Sequence, residues 1–397
     1  MSNENKIQSY KFIIFASLFF AAVFLIENLN HHFWLNDFKV YYSAAQAFLH
    51  GEKIYGVPFG LDTGYYKYSP FVLLLFTPDC LLPYNVAATI HFAALAACSV
   101  VCIIIIMKIL RSYVFVTKRT KENLLMIVSL LCIAVHLVRE LHLGNVNIII
   151  LLLICYSILL LLEENYFLPG ALLTISVLLK PYFIFLLIPL LALRKWKTIS
   201  AFGVSLFASA IICSLVFGFG RYIELNKEWL SSMSAHGSYL QSNNTIQSLL
   251  NIYLKINLNE SGNLIIIGSV AVLLMAIFTL KFQERSVSED VILIAGIFSS
   301  TAIIPNLVIT DTEHFLFSLP VIMILLFYLF KQRNKLPTAG FVLLMFFFGA
   351  NSTDLLGRNL SSQFDSLGLL GMTNLILIGS VIYLLLFSRK IIFTTQR

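Results

Sequence analysis

The sequence predicts an all-α polytopic membrane protein, a bundle of about 12 transmembrane helices with further helices lying against its outer face. Three observations carry this. Of 397 residues, 59% are hydrophobic and only 12% are charged. An ordinary globular chain carries roughly 25% charge, so this one cannot cover a soluble surface of its size. The apolar residues gather into long runs, and a bilayer core needs about 20 of them per helix. The Lys and Arg residues sit mostly between runs, on alternate connections. A soluble enzyme, a disordered chain and a free nucleic-acid binder are excluded together.

The elements follow in order. The run at 12–26 comes after a short polar tail with no small-residue cleavage site, so a retained span is expected. Further runs lie near 86–107, 124–141, 146–162, 166–179, 182–193, 199–219, 264–280, 291–309, 315–330, 339–350 and 367–387. Lys180-Pro181 splits two short runs. Proline removes a backbone donor and clashes with the preceding turn, so a helical hairpin with Lys180 at its tip is expected. Residues 70–82, framed by Pro70 and Pro83, are too short to span and read as a re-entrant or juxtamembrane segment.

Charge sets the orientation. The two tails, 108–121, 194–197, 281–285 and 331–335 hold eighteen basic residues, and the other side holds nine. The richer side is expected to be cytoplasmic, with both termini on it. The net charge of +7 is then a topology signal and not a nucleic-acid footprint. The expected setting is a multi-pass protein of the cell membrane, the inner membrane of a bacterium. The whole chain, 1–397, reads as one integral membrane domain with two long outer loops, 30–69 and 220–262. Loops that long are usually functional. No nucleotide-binding glycine motif occurs, and the six cysteines form no C-x-x-C pair or Cys/His metal spacing.

The first outer loop carries most of the chemistry. From Asp37 to His50 the apolar residues Phe38, Tyr41, Tyr42, Ala45, Phe48 and Leu49 recur with helical period, opposite Lys39, Ser43, Gln46 and His50. Gly51 is a natural stop. Asp37 opens the helix, either as its N-cap or as a general base at the membrane surface, and a capping carboxylate can still face a cleft. Tyr65-Tyr66-Lys67-Tyr68-Ser69-Pro70 is an interfacial aromatic belt or the wall of a sugar or lipid-phosphate site.

Five motifs in order resemble glycosyltransferase family 87, membrane mannosyltransferases of the GT-C superfamily. The first is Asp37-Phe38-x-x-Tyr41-x-x-Ala44 with Gly51-x-x-x-Tyr55 and Tyr66-x-Tyr68-Ser69-Pro70. Gly144-Asn145-Val146-Asn147 resembles a Gly-Gln-x-Asn element, with Asn145 in place of Gln. Leu179-Lys180-Pro181-Tyr182 resembles a Lys-Pro hairpin, and Asn243-Asn244-x-x-Gln247 a second outer loop. Glu313-His314-Phe315 resembles a late outer-edge histidine.

The resemblance implies a GT-C-like bundle and a polyprenyl-phosphate sugar donor, usually mannose. The sugar passes to a lipid or glycan acceptor with inversion, and no cofactor takes part. A carboxylate must accept the acceptor's proton, and cations must hold the leaving phosphate. Asp37 matches the family's catalytic Asp by position. Lys180 suits a phosphate clamp or is a snorkelling lysine. His314 suits a proton relay, a sugar contact or a structural role. Arg139 forms an ion pair with Glu140 or joins Lys67 and Lys180 at the donor phosphate. Tyr41, Tyr66, Tyr68, Asn147 and Gln247 are the candidate substrate contacts. Asp311 and Glu313 lack a third ligand, so no metal is assigned. A transporter, or a flippase or polymerase of lipid-linked glycans, is the competing class; it calls for mid-span charges, internal repeats or a key late loop.

Overall fold

A computed structural model describes residues 9–60, 64–115, 121–239, 242–332, 335–349 and 352–388. Among these there is no β-strand, and the apolar runs read from the sequence are helical. The protein is an all-helical polytopic membrane protein. Six helices are individually long and apolar enough to cross a bilayer: Tyr10–Leu29, Tyr84–Val114, Trp196–Phe217, Ser261–Glu284, Thr312–Gln332 and Leu369–Phe387. Glu122–Cys132 and Ala134–Leu143, bent by 63°, add a seventh if they form one broken span. Asn147–Leu162, Phe167–Leu179, Pro181–Ala192 and Lys335–Gly349 are shorter. Local chemistry cuts some of them short. Gly144 ends one helix in the left-handed region at φ 68°, and Lys180 is extended before Pro181.

The helices share two distinct ends. Tyr84–Ile109 begins where Tyr84 donates its hydroxyl to Trp34 O at 2.5 Å, and ends at Lys108, which pairs with Glu163 at 2.8 Å. Asn147–Leu162 runs between the same two ends, from Asn147 to the Glu163 that caps it. Arg111–Glu122 and Lys195–Glu289 are further ion pairs at the Lys108 end. Gly170 lies against Thr198 O and Phe202 N, so Phe167–Leu179 and Trp196–Phe217 start side by side and run parallel. Residues 180–195 therefore lead the chain back, as the hairpin reading requires. The polar tip at Lys180 lies at the end opposite the basic connections. Residues 1–8, 116–120 and 389–397, which carry part of the basic asymmetry, lie outside the described residues.

Three features of the outer segments position the site. Pro70–Phe76 and the 3-10 turn Thr77–Leu81 fold back on the helix Asn36–Leu49: Tyr42 donates its hydroxyl to Leu82 O at 2.8 Å. The chain thus returns to the Trp34 end before Tyr84, and 70–82 does not carry it across. The second long loop is itself helical, as Phe219–Tyr239 and Ile246–Leu254. Arg221 supports the first of these by pairing with Glu224 and Glu228 one and two turns on. That helix clasps the first loop, because Trp229 Nε1 donates to Lys67 O at 2.8 Å and Ser232 Oγ to Tyr66 O at 3.2 Å.

Candidate active site

A cavity of about 340 Å³ opens at the end away from the basic connections. Its wall includes Asp37, Tyr41, Lys67, Tyr68, Arg139, Asn145, Lys180 and His314, with Asp311 and Met233. Residues from six separate stretches of chain converge here. The structure thus brings together seven of the ten residues singled out from the sequence.

Asp37 comes from the helix Asn36–Leu49, whose N-cap is Leu35 and has no side-chain cap bond. The N-cap reading of Asp37 is therefore corrected. Leu35 takes the left-handed conformation at φ 41°, and the helix starts two residues earlier than an Asp37 cap would place it, which frees the Asp37 carboxylate for the cavity. Asp37 lies in the first turn, where the helix dipole favours a negative charge. Its Oδ2 accepts from Asn145 Nδ2 at 2.8 Å. Burial, with the negative charge of Glu313 next, pushes its pKa up to about 7, against the opposing pull of Lys180 and Lys67. The carboxylate is ringed by protein yet faces the cavity, so it titrates near neutrality.

Asn145 holds its place through a turn that only glycine fits well. A Cβ on Gly144 would stand 3.0 Å from both Leu35 Cβ and Phe38 Cβ. His91 Nε2 donates to Gly144 O at 3.0 Å, and its ring stacks on Phe38 at 4.2 Å. Tyr41 and Tyr68 share a hydroxyl–hydroxyl bond of 2.8 Å beside Asn145. Burial raises both phenols well above their ordinary range, so they stay protonated. Burial lowers the Lys67 ammonium, while Asp37 and Asp311 pull it back up.

The far wall is a polar chain. Lys180 Nζ donates to Asn147 Oδ1 at 2.6 Å and to His314 Nε2 at 2.7 Å. Glu140, fully buried, accepts from Asn147 Nδ2 at 2.8 Å and from Ile148 N at 3.1 Å. An ammonium donating to His314 Nε2 leaves the ring proton on Nδ1, which donates to Asp311 O at 3.1 Å. His314 is thus a neutral imidazole that steadies Lys180. Arg139 Nε donates to Glu313 Oε2 at 3.0 Å, with Asp311 3.8 Å away. The Arg139–Glu140 pair considered from sequence does not form, because neighbours on a helix point about 100° apart.

Three candidates lie off the cavity wall. Tyr66 is buried against the rings of Tyr55 and Tyr68. Asn147 stands behind Lys180. Gln247 donates to Leu258 O at 2.6 Å within the second outer segment. Sequence reasoning gave no role to Tyr182 or Thr310, which line the cavity and whose buried hydroxyls have no partner among the described residues. It also gave Asn145 no role. The signal was its place directly after a glycine, ahead of an apolar run. Among the described residues no group of three or more His, Cys, Asp or Glu is arranged to hold a metal.

The sequence pattern of glycosyltransferase family 87 matches residues 66–305. The matched stretch contains Lys67, Arg139, Asn145 and Lys180, while Asp37 precedes it and His314 follows it. No curated protein and no solved structure matches the chain. The family match covers more than half of the chain and agrees with its helical membrane architecture, so the protein belongs to glycosyltransferase family 87 and is a membrane glycosyltransferase.

Proposed function

We propose that the protein moves mannose from a polyprenyl-phosphate donor to a hydroxyl of a lipid or glycan acceptor, inverting the anomeric centre. The observation that supports this best is the pairing of Asp37 with Lys67, Arg139 and Lys180 around one cavity. The acceptor oxygen attacks the anomeric carbon as the bond to the phosphate oxygen breaks. Asp37 takes the acceptor's proton, and its pKa of about 7 suits a base at neutral pH. The three cations counter the charge that gathers on the departing phosphate. The hydroxyls of Tyr41, Tyr68, Tyr182 and Thr310 suit the polar edge of a sugar. His314 acts by holding Lys180 toward the phosphate.

The choice of mannose and of a polyprenyl carrier rests on the resemblance to the family. The orientation rests on the basic asymmetry. The single membrane domain sits in a bacterial inner membrane with both termini in the cytoplasm, and the cavity faces the opposite side. The test is turnover of labelled polyprenyl-phosphate-mannose by purified protein across candidate acceptors, for wild type and Asp37→Asn. Asparagine keeps the size but cannot take the proton, so turnover falls by roughly 10²–10⁴-fold with donor binding retained. Near-normal turnover in the variant removes Asp37 from catalysis.

A further inference from the structure

A second recess, of about 560 Å³, lies at the opposite end of the bundle and takes no part in the proposed reaction. Arg194, Arg285, Glu289, Gln283 and Thr279 supply its polar wall, and Phe282 and Val287 its apolar wall. Its place at the Lys108 end follows from Lys195, next to Arg194, which pairs with Glu289 there.

The charges in this recess do not cancel. The one acid in its wall, Glu289, is claimed by Lys195, and Glu284 beside it by Lys281 at 2.7 Å. Neither Arg194 nor Arg285 has an acidic partner among the described residues. Both arginines also hold the left-handed backbone, at φ 54° and 51°. Each follows the end of a helix, where a left-handed residue is a common stop. Here it lets two separate turns place a guanidinium on one recess.

The surroundings are amphiphilic. The helix Ser261–Glu284 has only 11% of its apolar window buried, and Leu273 and Leu280 stay more than half exposed as it approaches the recess. A ligand here meets two arginine forks, which match phosphate oxygens in bidentate fashion, directly beside a lipid-facing apolar flank. A free anion uses only the first of these features. We propose that this recess binds the phosphate headgroup of an anionic phospholipid, with its acyl chains along Leu273 and Leu280.

The test is thermal unfolding of the full chain in vesicles of phosphatidylcholine, against equal parts phosphatidylcholine and phosphatidylglycerol. Wild type gains about 2–4 °C in the anionic vesicles, because a ligand that binds only the folded state stabilises it. The double variant Arg194→Gln/Arg285→Gln loses most of that gain. The double variant Arg194→Lys/Arg285→Lys keeps the charge without the forks and retains part of it, which separates headgroup recognition from general surface attraction. The proposal is overturned if wild type gains nothing, or if either double variant gains as much as wild type. Inorganic phosphate in phosphatidylcholine vesicles is the last arm, and an equal gain there overturns the assignment to a lipid.

Discussion

Asn145 donates its side-chain amide to the Asp37 carboxylate across 2.8 Å. The orientation of that amide is forced, because Asn145 Oδ1 already accepts from Val146 N at 2.7 Å. Only the NH₂ end can face Asp37. A donor aimed at a carboxylate favours its charged form, so Asn145 holds down a pKa that burial holds up.

The first prediction concerns pH. If Asp37 is the base, kcat/KM falls as pH drops through about 7, where the carboxylate becomes protonated. Asn145→Leu removes the donor, and the midpoint moves up by about 1 unit, given the usual worth of a hydrogen bond to a charged group. The pH profiles of the two proteins decide it. A midpoint that stays put in Asn145→Leu, beside an Asp37→Asn variant that is inactive, leaves Asp37 as base and removes Asn145 as its tuner.

The second prediction is a sign. The folded pKa of Asp37 is raised from 3.8 to about 7, so the folded state binds a proton that the unfolded state has lost between those values. Stability therefore falls as pH rises through that window, and the ionised carboxylate costs the folded state most above pH 7. Asp37→Asn removes this cost. Its melting temperature in detergent is expected to exceed that of wild type at pH 8 and to converge with it near pH 4. A variant less stable than wild type at pH 8 means that the carboxylate supports the fold.

Lys180 and Lys67 separate in the third prediction. Lys180 is buried against Asn147 and His314, with the Glu140 carboxylate just behind. Lys180→Met removes the donor that holds Asn147 and His314 in place, and the melting temperature is expected to fall. Lys180→Arg does not restore function, since a planar fork does not fit between an amide and an imidazole at those spacings. Lys67 lies on the outer loop, and Lys67→Gln is expected to weaken donor binding while leaving the melting temperature nearly unchanged. Donor affinity measured beside unfolding separates the two lysines, and an unchanged affinity in Lys67→Gln takes Lys67 out of the phosphate site.

Much of the site was legible because the chain is so apolar. In a protein that is 12% charged, an Asp at the head of an outer helix or a Lys before a proline stands out. Partnership was harder to read. Arg139 and Glu140 are adjacent in sequence yet point into different networks, one to Glu313 and the other to Asn147. Asn147 and Gln247 looked like substrate contacts because both fall in motifs that resemble those of the family. One ties Lys180 to Glu140 and the other closes a turn onto Leu258, tasks set by neighbours distant in sequence. Asn145 seemed only a departure from a motif, since its partner Asp37 is brought to it by the Gly144 turn. The apolar runs were visible as runs, but their lengths depended on breaks at Gly144 and Lys180.

The last prediction concerns sidedness. Helices that start beside the cavity end at the basic connections, as with Tyr84–Ile109, which runs from Tyr84 to Lys108. The cavity and Lys108 therefore face opposite compartments if this helix crosses the bilayer. Ser69 belongs to the outer loop but is 2% exposed, which makes it a poor labelling position. Lys53 on the same loop and Glu164 at the Lys108 end are both exposed. In a cysteine-free background, Lys53→Cys in intact cells is expected to react with a membrane-impermeant maleimide. Glu164→Cys is expected to react only after the membrane is opened. The basic asymmetry demands this direction, since the eighteen-residue side should be cytoplasmic. Labelling of Glu164→Cys alone in intact cells inverts the protein and moves the cavity to the cytoplasm. Labelling of both positions in intact cells means that Tyr84–Ile109 does not separate them, and the crossing assigned to that helix fails.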